Sequence, residues 1–433
     1  MSTRVGVAAV LVELVNRWLG VELPVGVRAW DGSVAGPTNG PIVVLRSRRA
    51  LRRLLWDPDE LGLARAYVSG DLDVEGDLTE GLRRCWALVR TDGLTRPKLG
   101  FADWRSAIGT ALRLGVLGPR PTPPPEEARL SGRPHTRLRD RAAISHHYDL
   151  GNDFYQAVLE ERMAYSSGYW TSLDPDYSHT DAQRDKLDLI CRKLELRPGM
   201  RMLDVGCGWG SLICHAAEHY GVQVTGITLS AQQAEFGRRR IAEAGLTGRV
   251  EVRLQDYREL HGEPFDVVAS VEMGEHVGAG NYPTYAATLY RMLRPEGRLL
   301  LQQMSRGPVE PGGGKFIEGY VAPDMTMVSV GRTLDYLEAA GFEVRDVESL
   351  REHYVRTIRA WADTVDERQR QLAGIAGPGQ VRVWRLYLAG GALAFEENRM
   401  GVNQILAVRA TADGRSGMPP TRVAWSADQV GTR

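Results

Sequence analysis

Arg201-Met202-Leu203-Asp204-Val205-Gly206-Cys207-Gly208-Trp209-Gly210 is the stretch on which the reading of this chain turns. Two apolar residues run into an acid, and a glycine-spaced turn then opens an apolar helix, Ser211 to Tyr220. This is the pattern of a buried parallel strand whose C-terminal end meets a ligand at a helix N-terminus. Gly206 and Gly208 let the backbone approach a ligand that any Cβ would block. A phosphate loop would carry a lysine or a pyrophosphate niche, and Asp204 at the mouth would repel phosphate. The same carboxylate welcomes a cationic sulfonium or amino group, so the stretch reads as a site for S-adenosylmethionine (SAM). Plain helix–strand packing is the alternative for such a turn taken alone.

Working outward, strands and helices alternate from Met200 onward. Strands are expected at residues 222–228, 250–254, 265–270 and 297–303, and a helix at 230–244 with Ser230 as its N-cap. Another strand starts at Gly341-Phe342-Glu343-Val344, helices dominate residues 354–398, and residues 404–409 form the last strand. Such alternation implies a parallel sheet covered on both faces, with ligands beyond the strands' C-terminal ends. Those ends carry a constellation. After the second strand come Thr228, Leu229 and, one turn into the helix, Gln233. A dinucleotide fold places an acid here, so Thr228 and Gln233 would serve as neutral partners for ribose hydroxyls. After the third strand, Asp256 and Tyr257 suit an adenine amine and ring, or else a solvated turn. After the fourth come Glu272, Glu275 and His276, two acids and a histidine on one loop, costly as structure and useful as chemistry.

Ahead of this region, residues 1–117 read as a smaller α+β domain with a helix-like start, a strand at 41–45 and a helix, turn and strand over 61–78. Residues 118–138 begin with a proline-rich stretch that can be neither helix nor central strand and read as a linker. Residues 139–412 form the second domain, and 413–433 a mobile Gly/Ser/Pro-rich tail. The chain of 433 residues suits two cores, and Lys+Arg equals Asp+Glu at 54, so no net field argues for nucleic acid. Cys85, Cys191, Cys207 and Cys214 have neither metal-ligand nor disulfide spacing, which points to a reduced, cytoplasmic protein without a metal. The apolar run 5–19 is broken by Glu13, Asn16 and Arg17 and suits an amphipathic helix; a membrane would be met from its surface.

Five ordered motifs, His147 to Tyr155, Met163 to Trp170, Leu203 to Gly210, Leu254 to Arg258 and Glu275 to Gly278, resemble the cyclopropane-fatty-acyl-phospholipid synthase family of SAM-dependent enzymes. The resemblance covers residues 140–410 and implies a Rossmann-like methyltransferase domain. In the first region, Ala66-Tyr67-Val68-x-Gly70 looks like the N-terminal domain of the family's long members, which implies lipid handling and a homo-oligomer. It implies SAM contacts at Tyr165, Ser166, Asp204, Gly206, Cys207, Gly208, Gly210, Thr228, Leu229, Gln233, Asp256 and Tyr257. The proton-abstracting site, which holds bicarbonate in the family, would draw on Glu275 and Tyr354; Glu272 is the nearby alternative acid, and His276 on the same loop is a further catalytic candidate. Two positions depart from the pattern: the family's Tyr-Ser-Cys is Tyr165-Ser166-Ser167, and its histidine at the end of the fifth strand is Gln302. Neutral Gln302 cannot supply an imidazolium beside an anion, which puts bicarbonate in question.

What the resemblance implies is methyl transfer to the double bond of an unsaturated phospholipid acyl chain at the inner membrane surface. The alkene is a poor nucleophile and must be held dry against the sulfonium methyl. Immediate loss of a proton from the new methyl closes a cyclopropane; a hydride shift first, then the same loss, gives an exocyclic methylene. The altered base pocket favours the methylene outcome, resembling the subgroup that makes precursors of tuberculostearic-type acids, with a separate reductase to saturate them. A methyltransferase of a small polar acceptor and a non-catalytic lipid-binding protein are the rival classes.

Overall fold

The computed structural model describes residues 5–91, 101–148, 150–307 and 314–425. Asp149 of the first family motif and residues 426–433 of the expected tail lie outside the described residues. The chain divides into two compact units. The first gathers Met1–Ala128, Gly314–Val321 and Gln369–Leu393; the second takes Arg129–Gly313, Ala322–Arg368 and Ala394–Arg433.

In the first unit, strands β1 (Gly26–Arg28), β2 (Val34–Ala35), β3 (Ile42–Leu45) and β4 (Leu72–Glu75) form a sheet in the order β2-β1-β3-β4. Helices Val7–Leu19, Arg48–Trp56 and Glu60–Val68 contribute Ala8, Leu11, Ala50, Ala66 and Tyr67 to its core, with Val27, Leu45 and Leu72 from the strands. The proline-rich segment expected as a linker is part of this unit. It is tied down because buried arginines use its backbone and its acid: Arg53 Nη1 donates to the Thr122 carbonyl at 2.9 Å, and Arg65 Nε to Glu127 at 2.7 Å. The expected boundaries at 117 and 139 therefore differ from the structural one at 128. No composition shift marks the helix Lys315–Tyr320 or residues 369–393 as belonging here.

In the second unit, β5 (Arg201–Val205), β6 (Gln223–Thr228), β7 (Val250–Leu254), β8 (Phe265–Val271), β9 (Leu293–Arg306), β10 (Glu343–Ser349) and β11 (Met400–Val408) form one sheet, β10-β11-β9-β8-β5-β6-β7. The pairs from β9 to β7 are parallel, whereas β11 is inserted antiparallel between β9 and β10. Alternate residues of the apolar runs feed opposite faces. Met202, Val267, Ala269 and Leu300 enter one core cluster, and Leu203, Val205, Val268, Leu299 and Leu301 the other. This is the α/β, Rossmann-like architecture of the reading above. The chain leaves β5 for β6 and β7, then returns to the other side of β5 with β8. That reversal opens a crevice at the C-terminal ends of β5 and β8. The tail expected to be mobile is anchored as far as it is described: Arg422 pairs with Asp346 at 2.5 Å, and Gly417 offers its carbonyl to Arg298 at 3.1 Å. Among the described residues, no helix is long and apolar enough to cross a membrane.

Candidate active site

The crevice is a cavity whose wall includes Tyr165, Ser166, Lys186, Asp204, Gly206, Cys207, Gly208, Thr228, Leu229, Gln233, Tyr257, Glu272 and His276. Its floor is the turn after β5. Gly206 and Gly210 have φ of +89° and +91°, conformations open to glycine, and a Cβ on Gly206 would meet Met273 Cγ at 2.8 Å. A Cβ on Gly208 would meet nothing within 4 Å. Gly210 is the N-cap of the helix Ser211–Tyr220.

The electrostatics of the cavity fit a cation. Burial pushes the Asp204 carboxyl up to about 7, against the pull of the Lys186 ammonium, and its Oδ1 has no hydrogen-bond partner in the protein. Burial likewise brings Lys186 down to about 8, against the carboxylates of Glu272, Glu160 and Asp204. Its Nζ donates to Ser166 Oγ at 2.9 Å. An orphaned acceptor at the end of β5, beside a turn with no Cβ in the way, suits the amino or sulfonium group of SAM. Across the mouth, Thr228 Oγ1 donates to Gln233 Oε1 at 2.8 Å, and Ser230 Oγ caps the helix Ala231–Glu243 by accepting from Gln233 N. Two neutral side chains thus stand where a ribose would lie. Asp256 behaves otherwise than expected. It is off the cavity wall, and burial, which would raise its pKa, is outweighed by Arg258, whose Nε and Nη2 donate to its two oxygens at 2.8 and 2.6 Å. Its carboxylate is spent on Arg258, leaving the Tyr257 ring, packed edge-on to Tyr285 at 5.3 Å, as the wall for an adenine.

The two acids after β8 part company. Glu272, held at φ +50°, reaches the cavity, and three donors converge on its carboxylate. Ser167 N and Gln302 Nε2 donate to Oε1 at 2.9 and 2.8 Å, and the Tyr354 hydroxyl to Oε2 at 2.7 Å. Burial raises its pKa, while these bonds and Lys186 oppose the rise. Glu275, the acid favoured from sequence, is not on the wall. It sits in a short helical turn, Gly274–His276, that directs its Oε1 to the Met304 amide of β9. Burial first, then the charge of Glu272, pushes it up to about 8. At neutral pH it is a buried carboxylic acid. Of the other residues expected at the base site, His276 lines the cavity, and Tyr354 and Gln302 touch it through Glu272. Ser167 contributes its amide while its hydroxyl is used by the Gly168 carbonyl at 3.0 Å. Tyr354, which the resemblance assigns to the bicarbonate site, and the two departing positions, Ser167 and Gln302, therefore donate to a side chain of the protein itself. An added anion would set two negative charges against each other, so bicarbonate does not fit.

Sequence reasoning named Glu272 only second and missed Lys186. The signal for Lys186 was present: it stands with Gln183 and Lys193 on the face of the helix His179–Lys193 that also buries Ala182, Leu187 and Ile190. Of the wall's rings, Tyr165 is backed by two buried aromatics, Tyr155 at 5.7 Å and Trp361 at 5.2 Å.

Residues 135–405 match the family described as mycolic acid cyclopropane synthetase. The chain belongs to that family. It is similar to a probable fatty acid methyltransferase of Pseudomonas putida, 37% identical over 93% of this chain and 96% of that protein. It is also similar to the tuberculostearic acid methyltransferase UfaA1 of Mycobacterium tuberculosis, 30% identical over 93% and 92%. Among solved structures, the mycolic acid cyclopropane synthase CmaA1 complexed with SAH and CTAB overlays with a TM-score of 0.58 and 30% identity, covering 62% of this chain and 97% of that one. With this family, this fold and a cavity that fits SAM, the chain is a SAM-dependent methyltransferase acting in lipid chemistry.

Proposed function

We propose that this enzyme methylates the double bond of oleoyl-type acyl chains in phospholipids and releases a mid-chain methylene-branched chain, with Glu272 as the proton-abstracting base. The observation that carries the reading is the convergence of Ser167 N–H, the Gln302 amide and the Tyr354 hydroxyl on that one cavity carboxylate. SAM, when bound, supplies an electrophilic methyl. The ring of Tyr165, backed by Tyr155 and Trp361, helps exclude water from the alkene and faces the cation left on the acyl chain. A hydride then moves from the methylated carbon to its neighbour's empty orbital, and the positive charge comes to the methyl-bearing carbon. Glu272 takes one proton from the methyl, and the C–H electron pair becomes the exocyclic double bond.

Burial raises the Glu272 pKa, and three donors and a nearby ammonium hold it below the level that burial alone would set; that restraint slows proton loss and supports the methylene product. The likeness to UfaA1 over nearly the whole chain supports the same reading; the likeness to CmaA1, named a cyclopropane synthase, supports the ring as the second reading. On the first reading the enzyme is cytoplasmic and peripheral at the inner membrane face, and its product is handed to a separate reductase. The test is mass spectrometry of lipids from an oleate-rich host expressing the protein and fed methyl-deuterated methionine. A mid-chain methylene unit retaining two deuteriums is the expected result. An exclusively cyclopropane product would overturn the methylene assignment, and unlabelled acyl chains would overturn the lipid reading.

A further inference from the structure

We propose that Lys193 and Gln404 are positioning residues of this reaction: through Gln302 they fix which end of an amide is presented to Glu272. A single chain of hydrogen bonds crosses the sheet. Lys193 Nζ donates to Gln404 Oε1 at 2.9 Å, Gln404 Nε2 donates to Gln302 Oε1 at 2.9 Å, and Gln302 Nε2 donates to Glu272 Oε1 at 2.8 Å. Gln302 and Gln404 stand opposite each other in the β9–β11 register, and neither has any solvent exposure. Lys193 is 2% exposed. Two glutamines alone could flip together and turn a carbonyl oxygen on Glu272. The ends forbid it, because an ammonium only donates and a carboxylate only accepts. Lys193 therefore claims the Gln404 oxygen and the direction of every later bond follows. Lys193 is itself anchored by Glu348 at 2.5 Å, with Asp346 at 3.7 Å, both on β10. Polar side chains buried in the middle of apolar strands are costly unless each is satisfied, and here each bond of the chain is made.

The inference rests on Glu272 as the base, so it is tested by a readout that does not need turnover. Gln404→Glu keeps the shape and pairs with Lys193, but its second oxygen recruits the Gln302 NH₂ and turns the Gln302 oxygen on Glu272. The other charged and titratable groups around Glu272 stay in place: Lys186 from the helix His179–Lys193, Glu275 from the turn after β8, Tyr354 from the helix Arg351–Glu367, and Asp204 and His276 on the same cavity wall. The titration midpoint of Glu272 is followed as its carboxyl stretch in infrared spectra, with the Glu272→Gln spectrum subtracted. In Gln404→Glu it is expected to rise by about one pH unit or more, with SAH affinity within about twofold of the parent. Gln404→Met, which only frees Gln302 to rotate, is expected to give a smaller rise. Unchanged midpoints in both variants would overturn the proposal. So would loss of SAH binding in both, since the residues would then be structural. A shifted midpoint in a protein that makes no lipid product would instead sink the assignment of function and leave the positioning role standing.

Discussion

Substituting the two acids after β8 separately gives opposite outcomes. At pH 7 a group titrating at about 8 is roughly nine-tenths protonated, so Glu275→Gln exchanges one neutral group for another. The amide oxygen still accepts from the Met304 amide, and the change in turnover should stay within about threefold. Glu272→Gln removes the proposed base, and general-base losses run to about 10²–10⁴-fold. Most of the pocket survives, because the new amide oxygen still accepts from Ser167 N and Gln302 Nε2. Its NH₂ faces the Tyr354 hydroxyl, which rotates from donor to acceptor, so the stability cost is about 1 kcal/mol or less. The assay is incorporation of labelled methyl from SAM into oleoyl-phospholipid vesicles, with calorimetric SAH binding as the control. Turnover abolished in Glu275→Gln and retained within tenfold in Glu272→Gln would refute the assignment.

Tyr354→Phe deletes one donor to Glu272 and makes it a stronger base, so its pH–rate profile should shift its acid limb upward and the cyclopropane share of product should rise, measured by lipid mass spectrometry. Gly206→Ala forces a Cβ into the left-handed region and against Met273; SAH affinity by calorimetry should fall about tenfold or more, and an unchanged value would remove Gly206 from the nucleoside cradle. Glu275 also makes stability fall with pH. The folded state keeps its proton up to about 8, whereas the unfolded chain releases it at an ordinary carboxylate pKa near 4.5. Between those values the unfolded state binds fewer protons, so unfolding becomes easier by up to about 1.4 kcal/mol per pH unit, and the fall ends above pH 8. Glu275→Gln should accordingly gain melting temperature over the parent at pH 8 and lose that advantage at pH 5.

The sheet was legible because its central strands are buried on both faces and write themselves as apolar runs, Met202-Leu203 and Leu299-Leu300-Leu301 among them. The antiparallel place of β11 was not, since a run of buried residues such as 402–408 carries no direction. The two later segments of the first unit were hidden for a related reason: membership of a core depends on contacts across hundreds of residues, and nothing local announces it. In the site, the glycines and the neutral Thr228–Gln233 pair stood where strand ends placed them. Which acid faces the cavity depended instead on one backbone angle, φ +50° at Glu272, and on the short turn that swings Glu275 to β9. That Asp256 pairs with Arg258, two residues on, through two guanidinium nitrogens was not legible in the sequence.

The departures from the family pattern belong together physically. A histidine at position 302 could serve an external anion by carrying charge; a glutamine cannot, and needs a partner of fixed polarity on its far side. Gln404 and Lys193 supply that polarity, and Glu272 supplies on a tether the carboxylate that an anion would otherwise bring. A tethered base differs from a diffusible one in its timing. If Glu272 is that base, it is present at one position, Ser167, Gln302, Tyr354 and Lys186 hold its basicity below what burial alone would give, and it cannot be replaced during a turnover. A hydride shift along the acyl chain needs no partner and competes only with that proton transfer. On the proposed reading, each donor that tempers the basicity of Glu272 would move the product toward methylene without any change in the methyl-transfer step itself.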